Sequence, residues 1–187
     1  MDEFSKVKLS VLIEEYKTLR EEAITALKLQ QAVVRYSLAT IGVLVAVSFS
    51  IWDKSYSQYV FFVLIPLCCY FGLTVWMGEV GRMMRAGNRV AVVESKVNIL
   101  FQGESVLSWE TDLRSASDGK TIQLEWNYFA IILLHLGISV ASVWIGLSKT
   151  WSDHSSDALL AIALTEAAVL IIVVLVHFLQ GLRFKRL

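Results

Sequence analysis

Four blocks of the chain are predominantly apolar on every face of a helix: Ser37 to Trp52, Tyr59 to Met77, Trp126 to Leu147 and Ala158 to Leu179. In the last block only Thr165, Glu166 and His177 are polar or titratable. At 1.5 Å per residue it reaches roughly 33 Å, enough for a hydrocarbon core of about 30 Å. The first block is short, but Val33 and Val34 extend it and Arg35 is placed to snorkel to the surface. A soluble bundle would give each helix a polar stripe, which these blocks lack. The pattern predicts an all-α membrane protein with four transmembrane helices in two hairpins.

Outside these blocks the pattern changes period. Leu12, Tyr16, Leu19, Ala23, Ala26, Gln30 and Val33 alternate steps of four and three, a heptad seam with one polar position. Glu14, Glu15, Lys17, Glu21, Glu22 and Lys28 fall elsewhere on that helix and suit a solvated surface. Met83, Ala86, Val90, Val93, Val97 and Leu100 repeat the rhythm between Glu79 and Phe101, with no proline. The expectation is a pair of antiparallel helices extending spans one and two. An amphipathic helix lying on the leaflet is the alternative for the first, although its polar face carries as much acid as base. Gly78, Gly81 and Gly87 permit close backbone approach or a bend. Gln102 to Glu125 is neither apolar nor strongly periodic, and Ser115 to Gly119 reads as a turn. The LeuPheGlnGly string at 100–103 reads as a continuation of the helix pattern.

The predicted divisions are a helix over 1–36 that enters span one, a first transmembrane hairpin over 37–77, a helix and loop over 78–125, a second hairpin over 126–180 and a basic tail over 181–187. Charge then orients the chain. Of its 17 lysines and arginines, all but Lys54 and Lys149 lie in the N-terminal segment, the central segment or the tail. The positive-inside rule therefore puts both termini and the central segment in the cytoplasm of a multi-pass protein. Trp52, Trp76, Trp126, Trp144 and Trp151 sit at predicted span ends, as an interfacial belt should. The charged first 30 residues argue against a cleavable signal peptide. Formal net charge is zero, so nothing suggests a nucleic-acid surface and no nucleic-acid partner is expected. Adjacent Cys68 and Cys69 suit neither a structural disulfide nor a metal motif.

Candidate chemistry lies within lipid. Glu166, His135 and His177 are titratable groups in spans, and Ser139, Ser142 and Gly146 continue one helical face from His135. By helical rise His135 and Glu166 fall within roughly 5 Å in depth and could pair. Glu166 has three readings: a protonated acid serving as structural glue, part of an ion or proton pathway, or a surface placement. The stripe on His135, and a similar one at Gly42, Ala46 and Ser50, reads as helix packing or as pore lining. No zinc, glycine-rich-loop or nucleophile-elbow motif is present, so neither an enzyme nor a cofactor is expected.

The run Gly78-Glu79-Val80-Gly81-Arg82-Met83-Met84-Arg85-Ala86-Gly87, followed by Glu94 and Ser108-Trp109-Glu110, resembles a recurring group of bacterial four-span membrane proteins whose function is unassigned. The segment at 15–22 and the glutamines at 30 and 31 are similar too, so the resemblance covers about the first 115 residues. The last hairpin matches only in being hydrophobic. The architecture also resembles membrane effectors of bacterial anti-phage systems, some of which oligomerise into pores. The resemblance implies a bacterial inner-membrane location and supplies no catalytic residue. Together these readings lead to a homo-oligomeric channel or pore-forming effector in the bilayer, gated through its cytoplasmic helices by a protein partner or a small-molecule trigger. A membrane-anchored scaffold or sensor that binds a partner through its helical hairpin is the alternative.

Overall fold

The computed structural model describes residues 3–54, 56–117 and 121–151, with side chains described outside 114–127 and 150–151. The fourth apolar block, with Glu166 and His177, and the basic tail lie outside the described residues.

The described chain is helical, with no strand among the described residues. Helix α1 runs over Glu3–Ser50 and the short α2 over Ser57–Tyr59. A π turn over Val60–Leu64 leads into α3, Ile65–Leu100, and α4 (Trp109–Ser117) and α5 (Thr121–Trp151) follow. Among the described residues three helices are long and apolar enough to cross a membrane: α1, the continuous stretch Ser57–Leu100, and α5 through Tyr128–Lys149. Within 102–125, which is neither apolar nor strongly periodic in sequence, the structure places α4 and the start of α5. It also ends the second long helix at Leu100, so the string at 100–103 does not continue it. Gln102 and Gly103 have φ of 58° and 88°. The Gly103 N–H donates to the Asn98 carbonyl at 2.9 Å and the Gln102 N–H to Ile99 at 3.2 Å, a Schellman ending.

The described residues divide into two compact units, those within 1–31 and 78–127 and those within 32–77 and 128–151. In the first, α1 and α3 run antiparallel over a cluster of Leu12, Tyr16, Val90, Val93 and Val97, with Leu9, Leu19, Leu100, Phe101 and Leu107 packed against it. Buried Ala26 and Ala86 lie on the same faces one turn and more along, and Gln30 Nε2 donates to Met83 Sδ at 3.6 Å. Charged pairs flank the seam: Arg89 to Glu15 at 3.0 Å, and Arg82 to Glu22 at 3.2 Å and Glu79 at 3.4 Å. Glu15 and Glu22 are therefore not merely solvated, as their heptad positions implied. They reach across to α3, since long side chains flanking a seam can bridge to the facing helix.

The second unit packs α1, α3 and α5 around Ile41, Val60, Phe61, Ile65 and Cys69. Its contacts are closer and more polar. A Cβ on Gly72 would come within 2.8 Å of Ser37 Cβ, and one on Gly146 within 3.1 Å of the Phe62 ring. The absence of side chains there is what lets α1 and α5 reach α3. Pro66 explains the π turn. It has no N–H to continue the ladder, and the Ile65 N–H bonds the Val60 carbonyl, one residue further back than in an α-helix. The Phe61 carbonyl thereby loses its usual donor and takes the Ser142 hydroxyl at 2.9 Å. In hydrocarbon such a carbonyl has no water to turn to, so a hydroxyl from a neighbouring helix is the available remedy.

Candidate functional site

Two constellations collect the residues singled out from the sequence. The first is built on α3 of the unit that holds Leu12 and Tyr16. Glu94 falls between Val90, Val93 and Val97 on the buried face and has no exposed surface. A carboxylate there needs donors, and it finds them at the start of α4. Its two oxygens accept from the Glu110 N–H at 2.9 Å, the Thr111 N–H at 3.1 Å and the Thr111 hydroxyl at 2.9 Å. With Ser108 as N-cap, these are the second and third amides of the helix, which have no intrahelical acceptor. The Ser108 hydroxyl instead donates to Asp112 at 2.6 Å. Glu94 is thus a cap supplied from another helix, and its charge also suits the positive end of the α4 dipole.

Asn98, one turn further along α3, holds the preceding loop. Its Oδ1 accepts from the Val106 and Leu107 amides, both at 3.0 Å, and its Nδ2 donates to the Leu107 carbonyl at 2.8 Å. Burial first, and then the Glu94 charge, push the Tyr16 phenol above its ordinary value, with Arg20 opposing. The Arg20 guanidinium lies 4.8 Å from the centre of the Trp109 ring, and both residues are exposed. Gly87 completes the set: a Cβ there would meet Glu110 Oε1 at 2.6 Å. The motif therefore converges in space at Gly87, Glu94, Trp109 and Glu110. Glu79 and Arg82 form a separate ion pair, Gly78 has open space around it, and Arg85 is exposed.

The second constellation is the polar stripe of α5. His135 is buried, with Nδ1 2.9 Å from the Ile131 carbonyl and Nε2 3.0 Å from Ser37 Oγ. With the Nδ1 proton donated to Ile131, Nε2 accepts from the Ser37 hydroxyl, which also lies 3.0 Å from the Val34 carbonyl. Ser139 donates to the Tyr70 hydroxyl at 3.0 Å, and Ser142 to Phe61. These side chains bond their neighbours within the unit. The suggested partner of His135, Glu166, lies outside the described residues; here both ring nitrogens are held by Ile131 and Ser37. The stripe Gly42, Ala46 and Ser50 of α1 is exposed instead, with nothing near a Gly42 Cβ. At the end of this unit Lys149 reaches the Trp52 carbonyl and the Ser57 hydroxyl, with the Lys54 carbonyl at 3.1 Å and the Trp52 ring at 4.9 Å. It caps the carbonyls left open where α1 ends. A nearly all-apolar groove of about 510 Å³ lies on the same unit, walled by Tyr36, Leu67, Phe71 and Val75 with Ser37 in its lining.

Asn98, Thr111, Ser37, Tyr70 and Pro66 were not singled out beforehand. Glu94 and Asn98 had a visible signal, since polar residues four apart on a face carrying Val90 and Val97 call for buried partners. The partners of Ser37 and Tyr70 lie about 98 and 69 positions away, and nothing in the local pattern marks them. Among the described residues no cluster of His, Cys, Asp or Glu is arranged to hold a metal ion. No family model, curated protein or solved structure matches the chain.

Proposed function

We propose that the chain is a four-span protein of the bacterial inner membrane, in two hairpins with both termini cytoplasmic, that acts as a membrane-anchored scaffold or sensor. Its working part is the unit built on Glu94, which meets a cytoplasmic partner protein, while the spans hold it at the bilayer. One observation carries this reading: the two units use their polar groups differently. In the span-bearing unit His135, Ser139 and Ser142 are spent on neighbouring helices, as helix packing in lipid requires. In the other unit Trp109, Arg20 and Leu113 remain exposed, and Trp and Arg are residue types that anchor protein interfaces.

A second reading, a homo-oligomeric channel or pore-forming effector of the anti-phage kind, draws on the open stripe Gly42, Ala46 and Ser50. A small-residue face on a span is a means for copies to associate in lipid. Mass measurement of the detergent-solubilised protein and planar-bilayer recording separate the two. The scaffold reading expects a monomer or dimer without conductance; a larger ring with conductance overturns it in favour of the pore. Cysteine labelling tests the threading, with Ser117 expected to react from the cytoplasm and Ser55 and Ser155 from outside. Outside labelling at Ser117 would refute the topology.

A further inference from the structure

The Glu94 site carries an inference about regulation. We propose that residues 101–117 form a strap, hinged at Gln102–Gly103 and clasped by Asn98 and Glu94, which opens from the α1/α3 pair as one piece. The hinge is the pair of left-handed residues, φ 58° and 88°. Glutamine at the first of them is strained, and such a residue stays put only while its surroundings hold it. The clasp is polar. Six hydrogen bonds run from the strap to just two side chains, one turn apart on one face of α3. On opening, every one of these donors and acceptors can bond water instead, so the clasp holds only by the net difference between protein and water hydrogen bonds.

Apolar attachment is slight by comparison. Phe101 and Leu107 reach the buried cluster, whereas Val106, Trp109 and Leu113 of the same segment are each at least half exposed. The α1/α3 seam, by contrast, is closed by five buried side chains. Two parts of one unit are therefore held by different forces, the strap chiefly by hydrogen bonds to two side chains and the seam by apolar burial. Opening would release α4 with Trp109 and uncover Glu94 and Tyr16, which are 0% and 8% exposed when it is shut. Weakly held segments of this kind are where proteins place their moving parts. The regulatory role rests on reading this unit as the working part; the opening itself does not.

Amide hydrogen exchange on the full chain in detergent micelles tests the opening. Glu94→Gln presents an amide where the Thr111 N–H needs an acceptor, and Asn98→Ala removes the second clasp. Each is expected to speed exchange across 104–117 roughly tenfold or more. Amides of 12–19 and 90–97 should stay within about twofold. Thr111→Val removes one donor only and should give a smaller rise in the same segment, which keeps the test intact if Glu94→Gln does not fold. Faster exchange spreading equally into 12–19 and 90–97 would overturn the strap, because Glu94 would then be a support of the whole pair. No change at 104–117 in either clasp variant would also overturn it. Partner capture that is unaltered by Asn98→Ala, with faster exchange present, would instead count against the scaffold reading and leave the strap standing.

Discussion

The two units are built from the same two long helices, yet they are held together by opposite means. Where α1 and α3 carry charged flanks, their seam is aliphatic, and the polar contacts are ion pairs at the rim such as Arg89 with Glu15. Where the same helices are apolar all round, glycines bring backbones together and hydroxyls bond across helices, as Ser139 does to Tyr70. On the proposed threading, water explains the first arrangement, since burying leucine and valine removes them from it. In lipid that driving force disappears. Fit and hydrogen bonding then do what the seam does elsewhere. The buried Glu94 marks the exception in the first unit: its carboxylate is satisfied by the start of a helix rather than by a cation.

The contrast can be broken most forcefully at the seam. Leu12→Asp or Val93→Asp places an unpaired charge in the aliphatic cluster and should cost on the order of 3 kcal/mol. Glu15→Lys loses only an exposed ion pair and should cost under about 1 kcal/mol. Thermal unfolding in detergent, followed by circular dichroism, measures both, and equal losses would mean that the seam is not what holds the pair. Close approach in the other unit gives a medium effect. Gly146→Ala drives a methyl against Phe62 and should cost about 1–3 kcal/mol, whereas Gly42→Ala meets open space and should be neutral or slightly stabilising in the same melt. A loss at Gly42 comparable to that at Gly146 would show that another helix covers it.

Alkali gives the smallest effect and sharpens the account of Glu94. The folded state holds the Tyr16 proton more tightly than the unfolded chain, because burial and then the Glu94 charge raise this phenol from its ordinary 10.0. The stability this contributes is fully present below that value and is lost as pH rises through the raised folded value. The melting temperature should therefore fall more steeply above pH 10 in the native chain than in Tyr16→Phe. Identical slopes would mean that the folded chain does not raise the Tyr16 phenol by burial and the Glu94 charge.

Periodicity alone marked the long helices among the described residues, though not α4, and the medium that each part of them suits. Hydropathy and heptad spacing are properties of neighbours in sequence, so Leu12, Tyr16, Val90 and Val97 could be placed on one seam before any coordinates existed. The motif residues Glu94, Trp109 and Glu110 were also visible as a set, but not their purpose. Only the tertiary structure decided that Glu94 caps α4, that Ser142 answers the carbonyl freed near Pro66, and that Ser37 meets His135. Each of those contacts joins helices whose relative rotation and depth no local pattern encodes. Hydrogen bonds reach only about 3 Å, so a rotation of either partner by a single residue would break each of them.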